Sequence, residues 1–194
     1  NASFDALGLD YRYLAFDVNE ETLPTAVSGL KVLGARGFNL TMPDKNLMVS
    51  LCDELSTAAR IIGAVNTVVN EDGRLIGHNT DGIGYMQSVK DAGYDIIGKK
   101  MTLLGAGGAA TAILVQAALD GLKEISVFVR PTSRFYDRLV HTVEELTEIT
   151  DCRIRICDFS DADLLKKELA DSAILTNGTS VGMAPHEDSC PVPE

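Results

Sequence analysis

The sequence predicts an α/β protein in two parts, a mixed sheet followed by a parallel, doubly wound sheet. Three observations carry this. From Met101 to Thr176, apolar β-type runs alternate with helical stretches, which implies a parallel sheet covered on both faces. The segment Ala64–His78 reads instead as two β-type runs around "EDG", a hairpin signal. Near Asn79–Ile83 the hairpin pattern gives way to a helix. The expected division is therefore 1–82 and 83–194.

The elements follow in order. Tyr11–Val18, "YRYLAFDV", reads as a strand rich in aromatic and apolar residues. Glu20–Ala35 carries Leu23, Val27 and Leu30 at helical spacing and ends near Gly34 and Gly37. Gly37–Met42 is the next strand, and Asp44–Leu55 a helix with Leu47, Val49 and Leu51 as its apolar positions. Strands at Ala64–Asn70 and Arg74–His78 form the hairpin, and Asp81–Ala92 is a helix. The second half has strands at Met101–Leu104, Ile125–Arg130, Arg153–Cys157 and Ala173–Thr176. Helices at Gly108–Leu119, Phe135–Glu148 and Asp161–Ala170 separate them.

Composition narrows the function. The 194 residues are 45% hydrophobic and 23% charged, ordinary for a globular protein. A net charge of −11 argues against binding a nucleic-acid backbone, which needs clustered Lys and Arg. No apolar run is long enough for a membrane span, and the start does not read as a signal peptide. The four cysteines, Cys52, Cys152, Cys157 and Cys190, form no C-x-x-C, and no His stands at metal-ligand spacing from them. No metal is expected, and the thiols read as reduced in a cytoplasmic protein.

"LLGAGGAA" follows a buried strand and opens an apolar helix. Gly105 allows a tight turn, Gly107 lets backbone N–H groups approach a pyrophosphate, and Ala110 takes the third small position of the dinucleotide fingerprint. The helix N-terminus adds positive potential for phosphate. Taken alone, such a loop also fits a purely structural turn. The next strand ends in "VRPTSR", with Arg130 and Arg134 and no acid before Asp137. Enzymes selective for NAD place an acid there to hold the ribose. Two guanidinium groups suit the 2′-phosphate of NADP instead, although a solvated loop is the plainer alternative.

Lys45 stands two residues past Pro43, Asn66 lies inside an apolar strand, and Asp81 begins a helix. Singly they read as a surface charge, a buried amide needing partners and a helix cap. Together, beside a dinucleotide loop, they suit an oxidoreductase acting on a polyol. Lysine and carboxylate would orient a hydroxyl and relay its proton, and the amide would hold neighbouring hydroxyls.

The ordered segments "GFNLTMPDK", "GAVNT", "NTDGIG", "LGAGGAA" and "TNGTSVGM" resemble the shikimate dehydrogenase family across nearly the whole chain. The resemblance implies an N-terminal substrate domain and a Rossmann-like dinucleotide-binding domain. It implies that Lys45 and Asp81 are catalytic, and that Thr41, Asn66 and Asp81 contact substrate. Gly105, Ala106, Gly107, Gly108 and Ala109 would cradle the pyrophosphate, and Arg130 and Arg134 would bind the adenosine phosphate. Thr179 and Met183 would lie near the nicotinamide. The implied reaction is reduction of 3-dehydroshikimate to shikimate with NADPH in aromatic amino-acid (chorismate) biosynthesis, by a cytoplasmic protein that can form a homodimer. The alternatives are an NAD-dependent quinate/shikimate dehydrogenase and a catalytically silent nucleotide-binding module. The arginine motif departs from the family at Val129 and Pro131. The family's serine-x-serine pair would lie before Asn1 and a late-helix glutamine beyond Glu194, so the resemblance implies truncation at both ends.

Overall fold

A computed structural model describes residues 1–185 and 187–192. Its first sheet is mixed. Strand β1 (Gly37–Asn39) pairs antiparallel with β3 (Thr67–Glu71), β3 antiparallel with β4 (Arg74–His78), and β4 parallel with β2 (Glu54–Leu55). The β3–β4 turn is closed by Asp72 and Gly73, at φ 52° and 89°. Both are left-handed, as a tight hairpin requires. Helix α2 (Leu23–Val32) covers this sheet through Leu23 and Val27, which bury with Met48, Val65, Val68 and Leu75. A short helix α1 (Ala2–Ala6) precedes it and buries nothing.

The second sheet is wholly parallel, in the order β7-β6-β5-β8: β5 is Lys100–Leu104, β6 Glu124–Val129, β7 Arg153–Asp158 and β8 Ile174–Asn177. The chain builds outward from β5 through β6 to β7, then returns to add β8 on β5's other side. The order thus reverses between β5 and β8. A crevice opens at the carboxyl ends of the strands at such a point, and ligands bind there. Helices α5 (Gly108–Leu119) and α6 (Tyr136–Ile149) cover one face through a large apolar cluster. Helix α7 (Ala162–Ala170) covers the other with Leu165 against Leu104, Phe128 and Cys157.

Two helices join the sheets. Helix α3 (Thr57–Ile62) buries Ala58, Ile61 and Ile62 in the cluster of α5 and α6. The Arg138 guanidinium donates to the Ile62 carbonyl at its C-terminal end, where helix carbonyls lack partners. Helix α4 (Asp81–Asp91) packs on α5 with backbone close to backbone. A Cβ at Gly82 would stand 2.3 Å from the Ala112 carbonyl oxygen and 2.7 Å from Gln116 Cβ. Gly82→Ala is therefore expected to lower stability by about 2 kcal/mol, the scale of overpacking. Urea denaturation measures it, and an unchanged midpoint would show that α4 can shift off α5 without cost.

Three expectations need correction. Tyr11–Val18 is extended but forms no strand: among the described residues its backbone joins no ladder, and Tyr11 through Phe16 are all exposed. Its aromatic and apolar composition favours a pleated surface only where a neighbouring strand supplies one. Asp44–Leu55 is not an α-helix but a 3₁₀ segment, Leu47–Leu51, followed by β2. Val65 N–H takes the Lys45 carbonyl at 2.8 Å, and Asp53 exchanges hydrogen bonds with Leu75 through its own N–H and its carboxylate. These tertiary bonds draw the chain into the sheet. Finally, α3 went unforeseen, although Ser56 caps it (Ala59 N–H to Ser56 Oγ, 3.2 Å) and Gly63 ends it at φ 62°, both readable signals.

Candidate active site

The strand Gly37–Asn39 runs into the turn of Pro43 and Asp44, and Val65 anchors the Lys45 backbone beside the start of β3. From there Lys45 Nζ reaches Asp81 Oδ2 at 2.9 Å, with the lysine side chain 21% exposed and the aspartate 42%. Asp81 opens α4, and its other oxygen accepts from Asn66 Nδ2 at 2.8 Å. Asn66, 7% exposed, is oriented by its own oxygen. Oδ1 accepts from Thr80 N–H at 2.9 Å, Thr67 Oγ1 at 3.0 Å and Thr80 Oγ1 at 3.2 Å. A backbone donor on Oδ1 settles which end of the amide faces the carboxylate. Asn79, buried to 3% exposure, accepts the Asp81 N–H and donates to the Ala64 carbonyl.

The structure thus joins Lys45, Asn66 and Asp81 directly. Thr41 lies exposed at the head of the same turn, its carbonyl accepting from Asp44 N–H. Thr67, Thr80 and Asn79 were not singled out by sequence. The repeated Asn-Thr doublets, in "VNT" and "HNT", were the available signal. Asp44 Oδ1 is buried with no hydrogen-bond partner among the described residues, and nothing in the structure explains it.

The glycine loop lies one helical turn away. Ala112, which Gly82 touches, is four residues past Gly108, about 6 Å of helix rise. Gly105 closes β5 at φ 97°, and a Cβ there would meet Thr179 Cγ2 at 2.8 Å. Gly178 sits as tightly on Ala110. The carboxyl ends of β5 and β8 therefore touch through glycines. Among the described residues, by contrast, nothing closes over Gly107 and Gly108, and no side chain caps α5. Ala106 is buried, while Gly108 and Ala109 are exposed. The first N–H groups of a 12-residue helix thus point outward without a side-chain acceptor, the arrangement that receives a phosphate. These residues fit a dinucleotide.

Arg130 follows β6, the strand beside β5, and its carbonyl accepts from Ser133 N–H in a turn. Both it and Arg134 are exposed. Among the described residues neither forms an ion pair, and Arg134 lies over the Phe135 ring at 4.7 Å. Thr179 lies against Gly105, held by bonds from its N–H and Oγ1 to Asn177 Oδ1. Met183 is 63% exposed, its N–H donating to the Ser180 carbonyl. The four cysteines are free, and burial pushes the Cys52 and Cys152 thiols up to about 11. A cavity of about 630 Å³ lies at the hairpin tip among Lys31, Arg36 and Asp72, away from Lys45. No described helix is long and apolar enough to cross a membrane.

The model of the shikimate dehydrogenase substrate binding domain matches residues 1–68. A shikimate dehydrogenase (NADP(+)) of Listeria monocytogenes serotype 4b is 53% identical over 193 residues, all of this chain and 66% of the relative. This chain belongs to the shikimate dehydrogenase family. The quinate/shikimate dehydrogenase of an Escherichia coli strain is 46% identical over 188 residues, 97% of the chain and 65% of that protein. A crystal structure of shikimate 5-dehydrogenase from Listeria monocytogenes with shikimate and NAD superposes with a TM-score of 0.95 at 52% identity, covering all of this chain and 66% of that one. The chain spans about two thirds of the length of the family members it matches.

Proposed function

We propose that the full-length protein interconverts 3-dehydroshikimate and shikimate with NADP(H). The observation that carries this is the Lys45–Asp81–Asn66 constellation at the head of α4, one turn of α5 from an uncapped glycine loop. In this reading residues 1–82 hold substrate and 83–194 hold the dinucleotide, supported by the two separate sheets. Gly105 to Ala109 hold the pyrophosphate, and Thr179 and Met183 border the nicotinamide. When bound, the nicotinamide would supply or accept the hydride.

The rest falls to the protein. Lys45, held by Asp81, orients the reacting oxygen and supplies or removes its proton. Asp81 and Asn66 hold neighbouring hydroxyls, with Thr41 on the same wall. A hydroxyl can replace water on these groups without leaving a buried polar atom unpaired. A cytoplasmic location goes with this reading, supported by the free thiols. So does a homodimer, supported by the exposed apolar side chains of Leu14, Phe16, Val32 and Leu33.

The test is the absorbance of reduced nicotinamide with shikimate or quinate and with NADP or NAD, on full-length protein. Turnover with shikimate and NADP is expected. Activity confined to quinate and NAD would favour the second branch, and none with any pair would leave a binding module. Arg130 and Arg134, exposed and without ion-pair partners among the described residues, support NADP. Arg130→Ala is expected to raise the Michaelis constant for NADP about 10-fold, the scale of one charged hydrogen bond. The constant for NAD should barely change. Equal losses for both would take the arginine away from the 2′-phosphate.

A further inference from the structure

Tyr85 lies four residues past Asp81 on α4, so the two side chains share a helix face one turn apart. Its hydroxyl hydrogen-bonds Thr176 Oγ1 on β8. Thr176 is 5% exposed and pairs in register with Leu103 of β5. Asn177 ends the strand opposite Leu104, and the chain leaves the sheet as Gly178–Thr179. Gly178 presses on Ala110 and Thr179 on Gly105, the two sides of the glycine loop. One side-chain bond therefore joins the helix that carries Asp81 to the strand end that borders the dinucleotide cradle. The tyrosine ring packs against the large apolar cluster, which holds the hydroxyl in place.

We propose that Tyr85 is a positioning residue. Through Thr176 it sets the separation between the Lys45–Asp81 pair and the nicotinamide side of the glycine loop. This rests on the functional reading above. The geometry gives the bond leverage. Gly82, Met86 and Val89 pack α4 onto α5 and the large apolar cluster, contacts that carry no direction of their own. Tyr85 adds a directional bond to a different element, β8. Packing and this bond together fix the helix end carrying Asp81, and hydride transfer is steeply sensitive to the separation of the reacting atoms. Burial pushes the phenol above its ordinary range, with the bond to Thr176 acting the other way. The hydroxyl therefore keeps its proton at neutral pH and the tether persists there.

The test uses Tyr85→Phe, Thr176→Val and the double variant in full-length protein. Phenylalanine keeps the ring packing and valine the shape, so only the bond is lost. Each single variant is expected to lower kcat for shikimate oxidation about 10-fold, with both Michaelis constants within about two-fold. The primary isotope effect with shikimate deuterated at the reacting carbon should rise, because transfer becomes slower relative to release. The double variant should be no worse than the poorer single, since both remove the same bond. An unchanged kcat and isotope effect, or losses that multiply in the double variant, would overturn the proposal. Amide exchange gives a readout independent of turnover. In Tyr85→Phe, exchange should quicken together in residues 81–85 and 177–179, whereas quickening confined to α4 would also overturn it. If the parent protein does not oxidise shikimate, the functional reading fails and amide exchange still decides the coupling.

Discussion

Lys45→Ala in the full-length protein is expected to lower turnover of shikimate by roughly 10²–10⁴-fold, the range for a positioned acid–base group. The side chain is anchored from behind, by Val65 on its carbonyl, and held at its tip by Asp81 at 2.9 Å. It is open enough for a ligand to reach. Its removal leaves Asp81 with the Asn66 amide and no cation. The pair is partly solvated, so its loss costs stability at most about 1 kcal/mol and the fold survives. Dinucleotide affinity should also survive, because the glycine loop stands on another element. Steady-state kinetics and a dinucleotide titration on the same preparation separate these effects. Near-normal turnover would return Lys45 to the role of a surface charge.

The second large effect lies at the opposite end of the parallel sheet. Glu168, on α7, is 2% exposed. Its Oε2 receives Ser126 Oγ at 2.6 Å, Lys100 Nζ at 2.7 Å and Arg155 Nη2 at 2.6 Å. Lys100 and Glu124 open β5 and β6, so the cluster sits where the strands begin, away from their carboxyl ends. Burial opposes the charge, but the three donors outweigh it and hold the carboxyl down at about 2. A group held below its ordinary range stabilises the fold at neutral pH. That contribution is lost as pH falls from about 5 towards 2, as the unfolded and then the folded carboxyl take up protons. Glu168→Gln is expected to cost about 3 kcal/mol at neutral pH, chiefly by leaving the largely enclosed Lys100 ammonium undercompensated. The difference from the parent should shrink as pH falls through that window. Denaturant titrations across pH measure it. Equal stability of the two proteins at neutral pH would show that Glu124 and Asp171, the other partners of Lys100, suffice alone.

The sequence by itself determined the second half closely. Helix α5 has the expected bounds, and the other strands and helices of that half fall within a residue or so of theirs. The central strands β5 and β6 are buried on both faces and read as continuous apolar runs, while the outer strands β7 and β8 expose alternate residues, so the pattern of runs between helices leaves little choice of pairing. The glycine loop was legible for a related reason: small residues between such a strand and helix are a local requirement of the turn. The first half was less legible, because its elements depend on distant partners. Tyr11–Val18 has the composition of a strand and finds no ladder, while Asp44–Leu55 has apolar residues enough for a helix and is drawn off by Val65 and Leu75. For the candidate site, sequence supplied the residue types Lys45, Asn66 and Asp81 but not their arrangement. That the amide faces the carboxylate follows from Thr80 N–H on Asn66 Oδ1. That the pair stands about one helical turn from the glycine loop follows from the Gly82 contact with Ala112. Those contacts join residues far apart in the chain, through surfaces that exist only once the helices have packed. No local pattern of side chains can encode them, and the tertiary structure alone decided them.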